Sequence, residues 1–230
     1  MKELIIVPAY NEALNIEKTI KDLEENTNSD YIIINDCSKD NTGEVCKKNN
    51  FNYISLPINY GLTSAIQVGM KYAKQNGYDI AIQFDGDGQH QAKYISSLKE
   101  KIEKEECDIA IGSRFVTEKK PKTLRMLGSN LISFAIKLTT GKTIKDPTSG
   151  MRAYNKKAID EFIKNSSLTP EPDTLVYMMK KKMKVEEVQV KMSEREYGES
   201  YLNAIKSIEY MLSMMFSILF IRAFTKRGGK

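Results

Sequence analysis

The chain has 230 residues, 41% of them hydrophobic and 28% charged, with a formal net charge of +5. That is enough for one large α/β domain with a full core, or for a domain plus a short appendage, and a mild positive charge spread along the chain speaks against a nucleic-acid binder. The three cysteines, Cys37, Cys46 and Cys107, have no CxxC spacing, which sets aside a disulfide framework or a zinc site and fits a reducing cytosol.

The first segment, ELIIVP, reads as a strand and not as a signal peptide. YIIIN, NYISL, IAIQF and DIAIG continue the series, each apolar on both faces as parallel strands covered by helices must be. Between them ALNIEKTIKDLEEN, NTGEVCKKN, TSAIQVGMKYAKQNG and YISSLKEKIEKEE carry apolar residues at helical spacing. This alternation predicts an α/β fold, a doubly wound, mostly parallel sheet flanked by helices. Gly61, Ala65, Gly69 and Ala73 recur every four residues and predict a stripe packed closely on the sheet. Beyond residue 113, TLRMLGSNLISFAIKLTTG reads as a helix ended by Gly141. MRAYNKKAIDEFI reads as strand or turn, then helix, and KVEEVQVKM as a strand. A last helix runs from about Leu202 to Phe224. Its apolar stretch, YMLSMMFSILFI, is too short to span a bilayer.

Ligands of such sheets bind beyond the carboxyl ends of the strands. The residues there are PAYNE, NDCSKDNT, PINYGLTSA, DGDGQH and GSRF. Alternation projects Asp85 and Asp87 to one side. Two carboxylates make a hard oxygen site suited to Mg²⁺ or Mn²⁺, with Gln89 as a neutral ligand and water or phosphate completing the shell. The plainer reading is a solvated Asp-Gly turn. His90 reads as a capping or packing residue more readily than as a ligand.

Taken together, IIVPAYNEALNI, IIINDCSKDNT, NYGLTSAIQVGMKYA, FDGDGQH, IGSRF and DPTSGMRAYNKKAI resemble the successive motifs of family 2 glycosyltransferases with the GT-A fold. The polyprenyl-phosphate branch is the most similar. The resemblance implies that Pro8, Tyr10 and Glu12 hold a nucleotide base and ribose, and that Asp36 hydrogen-bonds the base. Asn35 departs from the usual Asp. It further implies that Asp85, Asp87 and Gln89 bind metal and diphosphate, that Arg114, Arg125 and Ser129 bind an acceptor phosphate, and that Arg195 closes over the diphosphate. Tyr201 stands where relatives carry Lys. Arginine forks match phosphate geometry, and an aspartate can accept from a base imide. A packed ring at Tyr10 and a solvated basic surface at the arginines are the plainer alternatives, and Asp146 reads as the turn former of DPTSG.

The expected activity is inverting, metal-dependent transfer of a sugar from a nucleotide diphosphate sugar, UDP- before GDP-, to a polyprenyl phosphate. A lipid phosphate is already an anion and needs no base. The rival acceptor, a sugar hydroxyl in an envelope polysaccharide, needs one, for which Asp173, with Glu171, is the candidate. A non-catalytic docking module with this fold is the reading from another class. A nucleotidyltransferase would carry a glycine-rich basic loop that PAYNEA lacks.

The expected division is a catalytic domain at 1–201 and a docking segment at 202–230. The apolar C-terminal helix, followed by Arg222, Lys226, Arg227 and Lys230, suits an anionic membrane surface. This implies peripheral attachment at the cytoplasmic face, beside a membrane protein or a second copy. A helix packed on its own domain is the alternative.

Overall fold

A computed structural model describes residues 1–193 and 204–225, apart from the side chains of 124, 125, 204–208 and 221–225. Seven strands form one sheet: β1 (Glu3–Ala9), β2 (Asp30–Asn35), β3 (Tyr53–Ser55), β4 (Ile80–Gln83), β5 (Ile109–Ser113), β6 (Arg152–Asn155) and β7 (Val185–Gln189). Their order is β3-β2-β1-β4-β6-β5-β7. Eight described helices accompany them: α1 (Ile16–Asn26), α2 (Thr42–Lys48), α3 (Leu62–Gln75), α4 (Ile95–Glu103), α5 (Leu124–Thr140), α6 (Lys156–Lys164), α7 (Pro172–Lys180) and α8 (Ala204–Thr225).

Side-chain alternation along β1 builds two cores. Leu4 and Ile6 face a cluster with residues of α3, α5, α6, α7 and α8. Ile5 and Val7 face one with residues of α1 and α4. The small-residue stripe of α3 does what its spacing predicts. A side chain at Gly69 would meet Ile6 at 2.3 Å, so glycine sets how near α3 lies to β1. Gly61 belongs to the stripe in spacing only, since it caps the start of α3 with φ 84° and a Cβ there would meet nothing within 4 Å.

The segment read as strand or turn is β6, and it runs antiparallel to both β4 and β5. All other pairs are parallel. An antiparallel strand begins where its neighbours end. The loop before β6 is therefore delivered to the carboxyl edge of the sheet, against the ends of β4 and β5.

Helix α7 is not announced by the sequence, because TPEPDT suits a loop as well as a helix start. Pro172 is its first residue, where a missing N–H costs nothing, and Leu175, Val176 and Met178 are buried behind it. Helix α8 packs on α5 and α7. Ile218 is fully buried, and Met211 lies where a side chain at Gly128 of α5 would be. Ser217 Oγ donates to Asp173 Oδ2 at 2.6 Å. The opposite side of α8 leaves Leu212, Phe216, Leu219 and Phe220 exposed. No described helix is long and apolar enough to cross a membrane.

Candidate active site

The loops after β1 and β2 lock together at the carboxyl edge. Asn11, at φ 58°, receives Lys39 N–H on its side chain and gives its own N–H to Ser38 Oγ. Glu12 N–H donates to Thr42 Oγ1 at 2.9 Å, and Glu12 Oε2 accepts from Asn15 at 2.7 Å. Tyr10 stays exposed beside them and Pro8 is within β1. Asp36 is buried and accepts the N–H groups of Tyr60 at 2.9 Å and Gly61 at 2.7 Å. It thereby fixes the start of α3. Asn35 donates to Ser55 at 3.2 Å, which the carboxylate usual at that position could not do.

Strand β4 ends at Gln83, so strand alternation does not reach Asp85 and Asp87. Here the structure corrects the expectation of an extended pair. Asp87 instead opens a turn, its Oδ1 accepting the Gln89 N–H at 3.1 Å, with Gly88 at φ 75°. Asp85 is held from three sides. Gln83 Nε2 donates to its Oδ1 at 3.2 Å, and its own N–H donates to His90 Nδ1 at 3.1 Å. The third neighbour is Gly150, from the loop before β6, where a Cβ would stand 2.2 Å from Asp85 Oδ2. Gly86 lies close to β1, where a Cβ would stand 3.0 Å from the Pro8 carbonyl oxygen. The antiparallel β6 thus puts a residue without a side chain against the carboxylate, which leaves room beside it.

Oxygen donors and that bare flank fit a hard divalent cation. Among the described residues no three His, Cys, Asp or Glu stand together so as to hold a metal ion. Asp85 and Asp87 would supply carboxylate oxygens to Mg²⁺ or Mn²⁺ only with phosphate and water as the remaining ligands.

Asp85 and Ser129 line one cavity of about 200 Å³ between the sheet edge and helices α5 and α8. Gln83, Gly150, Glu171 and Tyr210 also line it. Beneath lies Arg152, 1% exposed. Its guanidinium donates to the carbonyls of Ser149 at 2.9 Å, Pro147 at 2.8 Å and Glu171 at 3.4 Å, tying two loops of the wall together. Burial raises the Glu171 carboxyl above its usual range, partly opposed by the hydrogen bond from Tyr210 OH and by Arg152. Asp173, by contrast, is turned to α8 and to its own helix, accepting from Ser217 Oγ and from Thr174 N–H at 2.8 Å. Of these two, Glu171 is the one that lines the cavity.

Arg114 follows β5. Its Nε and Nη2 grip Asp146 at 2.7 and 2.9 Å, and its backbone N–H joins them at 3.1 Å. Asp146, fully buried, is therefore the anchor of Arg114 as well as a turn residue. Lys120 lies in the basic stretch EKKPKTLR at 118–125, whose pattern assigns it no role. Its Nζ donates to Ser129 Oγ at 2.9 Å and lies 5.5 Å from the Phe115 ring centre. No carboxylate stands within 4.0 Å of it among the described residues. Burial lowers the pKa of this ammonium. The Arg125 side chain, Arg195 and Tyr201 lie outside the described residues, as do the Arg222 side chain, Lys226, Arg227 and Lys230.

A family model described as glycosyl transferase family 2 matches residues 4–163. The chain is 30% identical to the UDP-N-acetylglucosamine–dolichyl-phosphate N-acetylglucosaminyltransferase of Methanococcus voltae, over 84% of this chain and 86% of that protein. It is 28% identical to the undecaprenyl-phosphate mannosyltransferase of Micrococcus luteus, over 88% of each. It is 31% identical to the dolichol-phosphate mannosyltransferase of Pyrococcus furiosus, over 92% of this chain and 62% of that one. Among solved structures, glucosyl-3-phosphoglycerate synthase of Mycobacterium tuberculosis, in complex with Mn²⁺, UDP and glucosyl-3-phosphoglycerate, superimposes with a TM-score of 0.66 at 14% identity. The match covers 96% of this chain and 79% of that one. The likeness shows a shared GT-A fold.

Proposed function

Because the chain belongs to glycosyl transferase family 2, and is thus a glycosyltransferase, we propose that it moves a sugar from a nucleoside diphosphate sugar to a polyprenyl phosphate at a membrane surface, with inversion. The observation that carries this reading is the position of the cavity. It lies between Asp85 and the helix pair α5–α8, and the outer side of that pair is apolar. Relatives named for lipid-phosphate acceptors support the same acceptor class.

Pro8, Tyr10 and Glu12 border the nucleoside, and Asp36, already rigid, offers the base its remaining lone pairs. UDP- is favoured over GDP-donors. Asp85 and Asp87, with Gln89, hold Mg²⁺ or Mn²⁺, and Arg195 closes over the diphosphate. A cation bound there neutralises charge on the leaving diphosphate. Lys120, Ser129, Arg125 and the Nη1 of Arg114, which makes no hydrogen bond among the described residues, receive the acceptor phosphate. That anion needs no proton removed, so these residues only place it opposite the leaving group. Placement alone supplies several kcal/mol, up to about 7–11 in well-oriented cases.

The acceptor's lipid chain needs the bilayer close by. On α5, Leu127, Leu131, Phe134 and Leu138 are exposed in one stripe, and on α8, Leu212, Phe216, Leu219 and Phe220. Soluble monomers seldom expose so large an apolar patch. We assign this double face, with the docking segment 202–230 and its basic tail, to peripheral attachment on the cytoplasmic side, where anionic lipids attract Lys and Arg.

The hydroxyl-acceptor reading survives in altered form. Its base would be Glu171, which lines the cavity, and no longer Asp173. A donor-by-acceptor screen decides between the two. UDP- and GDP-sugars are paired with undecaprenyl phosphate, undecaprenol and free glycans, and released nucleoside diphosphate is measured with Mn²⁺. Turnover with the phosphate, reduced in Lys120→Met and retained in Glu171→Gln, is expected. Turnover only with a hydroxyl acceptor, abolished in Glu171→Gln, would contradict the proposal.

A further inference from the structure

Strand β7 runs parallel to β5, and the register sets Gln189 opposite Ser113, one residue before Arg114. Alternation puts Glu187 and Gln189 on the same face as Val185, which packs in the cluster with α5. The Glu187 carboxylate accepts two successive backbone N–H groups, that of Lys145 on Oε2 at 2.7 Å and that of Asp146 on Oε1 at 2.8 Å. Among the described residues neither N–H has another acceptor. Asp146, fully buried, in turn gives both its oxygens to Arg114, accepting from Nε, Nη2 and the backbone N–H. Gln189 Nε2 holds the Arg114 carbonyl at 3.0 Å, and its Oε1 accepts the Thr117 N–H at 2.8 Å. A buried ion pair is favourable only when its geometry is good and its groups are held. Here the holding comes from β7.

We infer that Glu187 is a positioning residue for the acceptor phosphate: by holding the backbone of Asp146 it sets the orientation of the Arg114 guanidinium. The inference rests on the reading of Arg114 as a ligand of that phosphate. Nε and Nη2 are fixed on Asp146, so the direction of Nη1 follows from where the Asp146 carboxylate stands. Position and charge act in opposite directions here. Glu187 is a negative charge near a site for an anion, and its field also reaches Lys120. Neutralising it would by charge alone tighten anion binding. Releasing Asp146 and Arg114 would weaken it. The sign of the change separates the two effects.

Farnesyl phosphate, a short prenyl phosphate, serves as the probe, and its affinity for the full chain is measured by calorimetric titration. Glu187→Gln should weaken it by about 10-fold, the equivalent of one charge-assisted hydrogen bond. In an Arg114→Ala background the same substitution should weaken it no further, because the residue it acts through is gone. Glu187→Asp keeps the charge but is one methylene short of reaching both N–H groups. It should shift the affinity in the same direction, and it carries the test should the Gln variant not fold. In ¹H–¹⁵N spectra the Arg114 Nε–H, identified by its absence from Arg114→Ala, should exchange slowly with water in wild type and quickly in Glu187→Gln. Tighter or unchanged binding in the Glu187 variants, an equal loss in the Arg114→Ala background, or an Nε–H still protected would overturn the inference. Farnesyl phosphate bound equally well by wild type and Arg114→Ala would instead overturn the reading of Arg114, and the inference with it.

Discussion

Gly150 and Glu171 show how single residues of the cavity wall act on Asp85 and on stability. A methyl group at position 150 would lie 2.2 Å from Asp85 Oδ2. Gly150→Ala should therefore fold, at a cost of about 1–3 kcal/mol for the overpacking, and lose Mn²⁺ binding. Calorimetric titration with Mn²⁺ and UDP checks this, and wild-type affinity in the variant would contradict it. Glu171 has a pH signature. Burial raises its carboxyl above the ordinary value of 4.5, so the folded chain holds that proton more tightly than the unfolded one. Its contribution to stability is complete below pH 4.5 and is lost as pH rises through the folded value. Glu171→Gln cannot ionise and can still accept from Tyr210. It should be more stable than wild type at neutral pH, by a margin that shrinks toward pH 4.5. Thermal melts at both ends of that range measure the margin, and a margin independent of pH would argue against the assignment. Neither residue's role is legible in the sequence. Gly150 meets Asp85, and Arg152 meets Glu171, only after the chain folds. DGDGQH stands out in advance by its residue types and GSRF through the resemblance, but the turn at Asp87 and the grip of Arg114 on Asp146 are not legible there.

Among the elements, the parallel strands and their helices announce themselves by period, apolar throughout for β1, β2 and β4, and every third or fourth residue for α1, α3 and α4. Two features escape that reading. The antiparallel sense of β6 depends on the partners it finds, β4 and β5, which no local pattern encodes. Helix α7 opens with proline and acidic residues that suit a helix start and a turn equally well. The crossing of α5 and α8 depends on Gly128, whose Cα is approached so closely by Met211 that a Cβ would overlap its sulfur at 1.3 Å. Methionine is flexible and can yield to a methyl group, but not to a branched chain. Gly128→Leu should loosen α8 and cost about 1–3 kcal/mol. Limited proteolysis should then cut the α8 segment faster than in wild type, and equal resistance would show that the crossing tolerates bulk.

The whole molecule carries two unlike surfaces. Its carboxyl edge gathers polar loops, and the outer side of α5 and α8 exposes apolar side chains; on the proposed function the first meets a water-soluble donor and the second a lipid. The C-terminal half of that second surface is visible in the sequence as YMLSMMFSILFI. The α5 half is not, because Leu127, Leu131, Phe134 and Leu138 look like core residues until the fold turns them outward. Phe134→Glu combined with Phe216→Glu should leave the melting temperature nearly unchanged, since both side chains are exposed, and should reduce flotation with anionic liposomes severalfold. Unchanged flotation would remove this face as the anchor.

The central claim, transfer of a sugar to a lipid phosphate, is tested most directly on the product. The full chain is incubated with Mn²⁺, a UDP-sugar and undecaprenyl phosphate in anionic vesicles, and the lipid extract is analysed by mass spectrometry and NMR. The account predicts a glycosyl phosphate ester, heavier than the acceptor by one sugar residue and inverted at the anomeric carbon, and absent with Asp85→Asn. A retained anomeric configuration, or sugar attached only to hydroxyl acceptors under the same conditions with UDP- and GDP-donors alike, would contradict it.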